Sequence, residues 1–163
     1  MNERAQHLRF ALLVVGFGTA SDQITKTWAM HALESGVPLA LTPFLALHLG
    51  FNTGISFGLF ANGGQAAQIA LIAMTAAVIA VLTWMLARGE RGDAAGLSLI
   101  LAGALGNLID RLVRGRVTDF IDFHAGGWHW PAFNAADVLI TSGVLWLIAA
   151  NFICARQDPA KGG

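Results

Sequence analysis

From Ala66 to Ala87 the chain runs without one charged side chain. That stretch limits the possible folds more than any other feature. About 20 mostly apolar residues suffice to cross a bilayer as a helix. In lipid, each backbone N–H and C=O must find a partner within the protein, so an apolar run of this length is expected to be a helix. Three more stretches come close: Leu8–Met30, Ala94–Val113 and Val138–Ala155. With 55% hydrophobic and 12% charged residues, against about 25% charged in ordinary globular domains, the expectation is one domain, residues 1–163, that is all-α and membrane-embedded. Its four transmembrane helices are expected near 8–30, 66–87, 94–113 and 138–155, leaving two longer segments, 31–65 and 114–136, outside the hydrocarbon.

The first stretch has a competing reading. Arg4 and Arg9 before an apolar core, then the small-residue triplet Gly18-Thr19-Ala20, also fit a cleavable signal peptide. If Asp22 and Lys26 work with the rest of the chain, this segment has to stay attached. Basic residues then orient the bundle. Arg4 and Arg9 precede the first span, Arg88 and Arg91 lie between the second and third, and Arg156 and Lys161 follow the fourth, while residues 31–65 contain no Lys or Arg. Both termini and the Arg88–Asp93 turn are therefore expected on the cytoplasmic side, with both long segments opposite. Arg111, Arg114 and Arg116 run against the rule. Only Arg111 has an evident partner, in Asp110 or a more distant carboxylate. A zero net charge with no basic stripe gives no sign of nucleic-acid binding, and Cys154, the only cysteine, excludes a disulfide within one chain.

Two carboxylates stand at the edges of these spans, Asp119 and Asp137, 18 positions apart. A carboxylate at or near membrane depth is costly and marks a functional site by default. Two that meet share a proton and can divide general acid and general base roles. The stretch from Val138 spans about 27 Å as a helix, which sets Asp137 near the outer boundary of the hydrocarbon. Val117–Phe123 alternates as a strand does, so Asp119 and Asp122 point to opposite faces. Only one of them can face Asp137, and spacing does not say which. Asn134, three residues before Asp137, suits a helix cap or a hydrogen bond to the pair.

Other polar residues sit where chemistry or packing needs them. Residues Phe51–Phe60 also alternate, with a small face of Asn52, Gly54, Ser56 and Gly58 that would let an extended peptide approach. A plain amphipathic strand on the membrane surface explains them equally well. Asn107, Asp110 and Arg111 share one helical face, and Gly103 and Gly106 just before them permit close helix packing. Asp22 and Lys26 form an i,i+4 pair. His124 and His129 can be read as metal ligands together with the carboxylates, but beside Trp128 and Trp130 an interfacial aromatic belt fits at least as well, and no metal is assigned.

Taken in order, these residues resemble the lipoprotein signal peptidases, or signal peptidase II. Ser21-Asp22-Gln23-Ile24-Thr25-Lys26 is similar to the family's first motif, Phe51-Asn52-Thr53-Gly54 through Phe57-Gly58 to its second, and Gly106-Asn107-Leu108-Ile109-Asp110-Arg111 to its third. Val117–Asp122 and Phe133–Asp137 resemble the two blocks that hold the catalytic aspartates. Ile55-Ser56 and Thr118 depart from the family's usual residues without touching a catalytic position. The resemblance implies four transmembrane helices with a small extracytoplasmic β element, and it selects Asp119 over Asp122. Asn52, Gly54, Asn107, Asp110, Arg111 and Asn134 then support the site, with Asp22 and Lys26 as further motif residues.

The implied activity is removal of signal peptides from prolipoproteins in the bacterial inner membrane. Cleavage falls before a diacylglyceryl-modified cysteine, by an aspartic mechanism needing no cofactor or metal. The expected partners are the lipidated substrate and membrane lipid, and the enzyme is taken to be monomeric. Two other classes compete: a proton-coupled transporter using Asp22, Asp110, Asp119 and Asp137 as a relay, and a non-enzymatic lipid or lipoprotein binder. The first often carries internal repeats or broken helices, but no convincing repeat is seen and the outer-edge carboxylates do not line a path across the membrane. The second would tolerate Asp→Asn at both aspartates.

Overall fold

The computed structural model describes residues 3–34, 36–54, 64–88 and 94–157, with side chains placed from residue 4 to 153. Four long helices carry the apolar runs: α1 (Glu3–Ala32), α2 (Gly64–Arg88), α3 (Ala94–Arg114) and α4 (Ala135–Gln157). Between them lie strands β1 (Leu39–Thr42), β2 (Leu45–Asn52), β3 (Val117–Ala125) and β4 (Trp128–His129). These form one antiparallel sheet in the order β1-β2-β3-β4. Among the described residues, three helices, α2, α3 and the Ala135–Ile153 part of α4, are long and apolar enough to cross a membrane. The helix α1 is longer, at 30 residues, and carries Asp22 and Lys26.

Burial runs opposite to that of a water-soluble protein. Phe17, Leu13, Ile69, Trp84, Leu145 and Phe152 are exposed, whereas Asp22, Lys26, Ser98, Asn107, Asp110, Asp119 and Asn134 are buried. Apolar side chains thus coat the outside, as lipid contact requires, and polar groups pair inside. The central helix is α3, which packs on α1, α2 and α4. Gly143 of α4 crosses it so closely that a Cβ there would meet the Gly96 carbonyl at 2.6 Å. At one end of the bundle, Ala11, Leu86, Ala94, Leu97 and Leu101 form an apolar core. At the other, Phe120 of β3 packs on Ala29 and Leu33, docking the sheet on the last turns of α1. The Arg4 side chain donates to the Ala87 carbonyl at 3.1 Å, so the start of α1 and the end of α2 share the end away from the sheet.

Of the strand expected over Phe51–Phe60, Phe51 and Asn52 close β2 (Leu45–Asn52), which ends where the Asn52 side chain accepts the Gly54 N–H at 2.9 Å and turns the backbone. An asparagine oxygen bonded two residues on favours a turn over continued pairing. Of the motif's remainder, residues 55–63 lie outside the described residues, as does 89–93 of the Arg88–Asp93 turn. The strand around Asp119 forms as expected and continues to Ala125. It then reverses through Gly126 and Gly127, at φ 58° and 84°, the pair of left-handed positions that a two-residue hairpin turn requires.

Candidate active site

The 18-residue gap between Asp119 and Asp137 is closed by one set of backbone bonds. Phe120 and Ile121 N–H groups donate to the Phe133 carbonyl at 3.0 and 2.9 Å, and Phe133 N–H returns to Ile121 at 3.1 Å. The residue before that contact on β3 is Asp119, and the residue after it on the other side is Asn134. The Asn134 Nδ2 accordingly donates to Asp119 Oδ1 at 2.6 Å.

Asn134 also begins α4. Its side-chain oxygen accepts the Asp137 N–H at 3.1 Å, while Asp137 Oδ2 accepts the Asn134 N–H at 3.2 Å. This is a reciprocal capping box with aspartate in the third helical position. Both roles considered for Asn134, helix cap and partner of the aspartates, are therefore filled at once. From α3, Asn107 Nδ2 donates to Asp137 Oδ1 at 3.0 Å. Its own oxygen accepts from Lys26 Nζ at 2.9 Å and from Asn134 Nδ2 at 3.3 Å. Asn52 reaches Asp119 from β2 with its side chain.

Arg111 donates to the carbonyls of Gly54 at 3.1 Å and Asn107 at 3.3 Å. Asp137, Asp119 and Asp110 all lie within its electrostatic reach. Its hydrogen bonds therefore go to backbone, while Asp110 pairs with Arg114. Arg114 also meets Gln23 at 3.3 Å, and the Arg116 guanidinium lies 3.6 Å over the Phe51 ring. These contacts give local partners to the two arginines that the charge pattern left unexplained.

Asp119, Asp137, Asn52, Asn107 and Arg111 line a cavity of about 650 Å³, together with Val117, Trp130, Phe133, Ile140, Thr141 and Ser142. The last three are further along α4 than Asp137, so the cavity runs from the sheet down that helix. Thr141 and Ser142, one turn on from Asp137 in a largely apolar run, were the sequence signal for this wall. Asp119 is 5% exposed. Burial, and then the charge of Asp137, push its carboxyl up to about 6, against the hydrogen bonds from Asn134 and Asn52.

Asp22, Lys26 and Asp110 do not line the cavity. They are fully buried behind it, with Lys26 Nζ 2.9 Å from Asp22 and 3.6 Å from Asp110. Asp22 Oδ1 accepts the Ala136 N–H at 2.9 Å, and Asp110 Oδ2 accepts the Thr118 N–H at 2.8 Å. The i,i+4 pair is therefore part of a network that holds the start of both aspartate-bearing segments, and α1 is built into the site. Sequence reasoning passed over Gln23, whose amide donates to the Gly106 carbonyl at 3.1 Å and to Asp110 at 3.3 Å. A glutamine inside an apolar span was the available clue. Asp122 points away, to His129.

Apolar helices around a cavity that holds two carboxylates, under a small sheet, fit a multi-pass membrane enzyme. The chain belongs to the signal peptidase II family: the family model described as signal peptidase (SPase) II matches residues 14–153. A lipoprotein signal peptidase of Burkholderia mallei is 44% identical over 146 residues, covering 88% of this chain and 86% of that protein. One from Serratia marcescens is 42% identical with the same coverage. A solved bacterial membrane enzyme, determined by the in meso method at 2.3 Å, superposes with a TM-score of 0.78 at 28% identity, over 94% of this chain and 92% of its own. A second, at 1.9 Å, gives 0.75 at 30% identity, over 86% and 91%.

Proposed function

We propose that the chain is an aspartic endopeptidase that cleaves prolipoproteins just before the diacylglyceryl-modified cysteine, with Asp119 and Asp137 as the catalytic pair. Family membership makes it a peptidase of lipoprotein maturation. The observation that carries the aspartic mechanism is Asn134, which donates to both carboxylates, to Asp119 through its side-chain amide and to Asp137 through its backbone N–H, at the wall of one cavity.

Two carboxylates in one site share a proton, and the titration belongs to the pair. Asp119, pushed up to about 6, is the partner that holds the proton. Asp137 receives N–H groups on both oxygens at the N-terminus of α4 and serves as the base. Asp137 takes a proton from water as the hydroxyl oxygen attacks the scissile carbonyl carbon. Asp119 donates its proton to the carbonyl oxygen. The proton now on Asp137 then passes to the cysteine nitrogen as the C–N bond breaks, and collapse of the intermediate returns a proton to Asp119. No covalent enzyme intermediate forms.

Arg111, Asn52 and Gly54 position the substrate backbone, and Asn107 and Asn134 fix the aspartates, which is positioning catalysis. The lower cavity along Ile140–Ser142 lies where a chain descending into lipid would follow α4. In this reading α1 is the fourth span. Its charges are paired inside, while Phe10, Leu12, Leu13, Phe17 and Ile24 face outward. Both termini are cytoplasmic and the sheet is extracytoplasmic, in accord with the basic residues at the far end of the bundle.

The test is cleavage of a diacylglyceryl-modified prolipoprotein by purified protein in detergent or lipid. Wild type, Asp119→Asn and Asp137→Asn are compared, with an unlipidated substrate as control. Lipid-dependent cleavage, lost in both folded variants, is the expected result. Substantial turnover by either variant would overturn the pair.

A further inference from the structure

Asp122, His124 and His129 stand together on one face of the β3–β4 hairpin. Residues two apart on a strand share a face, so Asp122 and His124 do, and His129 is the direct cross-strand partner of His124. Their ligand atoms all lie within 4.8 Å of one another. His129 Nδ1 is 3.0 Å from each Asp122 oxygen, and His124 Nδ1 is 3.7 Å from Oδ2. The imidazole rings stack at 5.2 Å, inclined by 26°.

His124 Nδ1 is shut off from solvent and has no hydrogen-bond partner, since 3.7 Å exceeds hydrogen-bond reach. A buried ring nitrogen left in this state calls for a ligand. We propose that Asp122, His124 and His129 form a binding site for a divalent transition-metal ion of the Zn²⁺ class, which staples β3 to β4. Imidazole and carboxylate are the donor types such ions take. A tetrahedral Zn²⁺ with bonds of about 2.0–2.2 Å spaces its donor atoms roughly 3.3 Å apart. The two Asp122–histidine separations, 3.0 and 3.7 Å, lie on either side of that value, and the three donor atoms all lie within 4.8 Å of one another.

The His129 side chain is 60% exposed, so the ion reaches the site from water, and a water molecule completes the fourth position. The site lies apart from the aspartate pair and does not depend on the peptidase chemistry. It does tie together the hairpin joining the two aspartate blocks, with Asp122 three residues after Asp119 and His129 five before Asn134. The plain alternative is a His129–Asp122 ion pair, which would take up no metal.

Chelator-treated protein in detergent is titrated with Zn²⁺ alone by calorimetry, and its unfolding temperature is measured with and without the ion. Wild type is expected to bind one equivalent and to gain thermal stability. His48→Ala, which alters an exposed histidine on β2, should behave the same. His129→Ala and His124→Ala should bind at least about tenfold more weakly, more than the loss seen when only a supporting partner is removed, and should lose the thermal gain. His129→Ala also loses the Asp122 contact, so each variant is judged by its change in unfolding temperature on adding Zn²⁺, not by its metal-free value. Absence of saturable binding in wild type, or undiminished binding in His129→Ala, would overturn the proposal.

Discussion

Asn134 and Asp137 cap one another at the first turn of α4, each accepting the other's backbone N–H. The same asparagine donates to Asp119 through its amide nitrogen, so helix initiation and the placing of both aspartates depend on one side chain. Asn134→Ala should cost about 1 kcal/mol of stability through the lost cap. It should lower kcat by about 100-fold, the scale expected when reacting groups are misplaced by about an ångström. Thermal unfolding and steady-state cleavage of the lipidated substrate, measured together, separate the two effects. Near-normal kcat in a destabilised variant would reduce Asn134 to a cap.

The pH dependence follows from the shared proton. With Asp119 pushed up to about 6, the singly protonated pair is lost as pH rises through that value. The ratio kcat/KM should therefore fall, about tenfold per pH step once well above it. A profile that stays flat from pH 6 to pH 9 would contradict Asp119 as the proton holder.

Stability should respond in the opposite sense in Asp119→Asn. Asp119 titrates higher in the folded protein than its ordinary 3.8, so the folded state binds the proton more tightly. That contribution is full below pH 3.8 and is lost as pH rises through about 6. The asparagine variant escapes the loss. It should be more stable than wild type at pH 7.5, by up to about 3 kcal/mol, with the difference shrinking toward pH 4. Comparing unfolding temperatures at the two pH values checks the sign.

Lys26 lies fully buried between Asp22 and Asp110. Lys26→Met leaves carboxylates uncompensated in a dry interior and should destabilise by about 3–5 kcal/mol. Adding Asp22→Asn should restore part of that. Equal stability of the single and double variants would show that Arg114 alone suffices for this network.

Gly143→Leu tests the α3–α4 crossing away from the chemistry. With the Gly96 carbonyl 2.6 Å from a Cβ at that position, the helices must part. Overpacking of this kind typically costs about 1–3 kcal/mol. Activity should fall through displacement of Asp137, and a variant that unfolds and cleaves as wild type does would show that the crossing is loose.

Much of this molecule could be read in one dimension. An unbroken apolar run such as Ala66–Ala87 has one solution in lipid, so the helices were legible because the solvent imposes them. The strand around Asp119 was legible because alternation is local. The end of β2 at Asn52 was not legible, because the turn made by Asn52 with Gly54 is a side-chain event that periodicity does not register. Five ordered motif blocks identified the family and selected Asp119 over Asp122. That selection came from the resemblance, since period-two spacing alone leaves both faces open.

Tertiary structure decided what meets what. The Phe133–Ile121 bridge sets Asn134 beside Asp119, and that bridge pairs residues from two separate segments. Packing also assigned Asp110 to Arg114, left Arg111 to backbone carbonyls, and brought His124, His129 and Asp122 onto one face. The physical reason is common to all of these. Local backbone preference and lipid exposure act residue by residue and can be read along the chain. A buried polar group instead takes whichever partner close packing brings within about 3 Å, and only the assembled helices and sheet determine that partner.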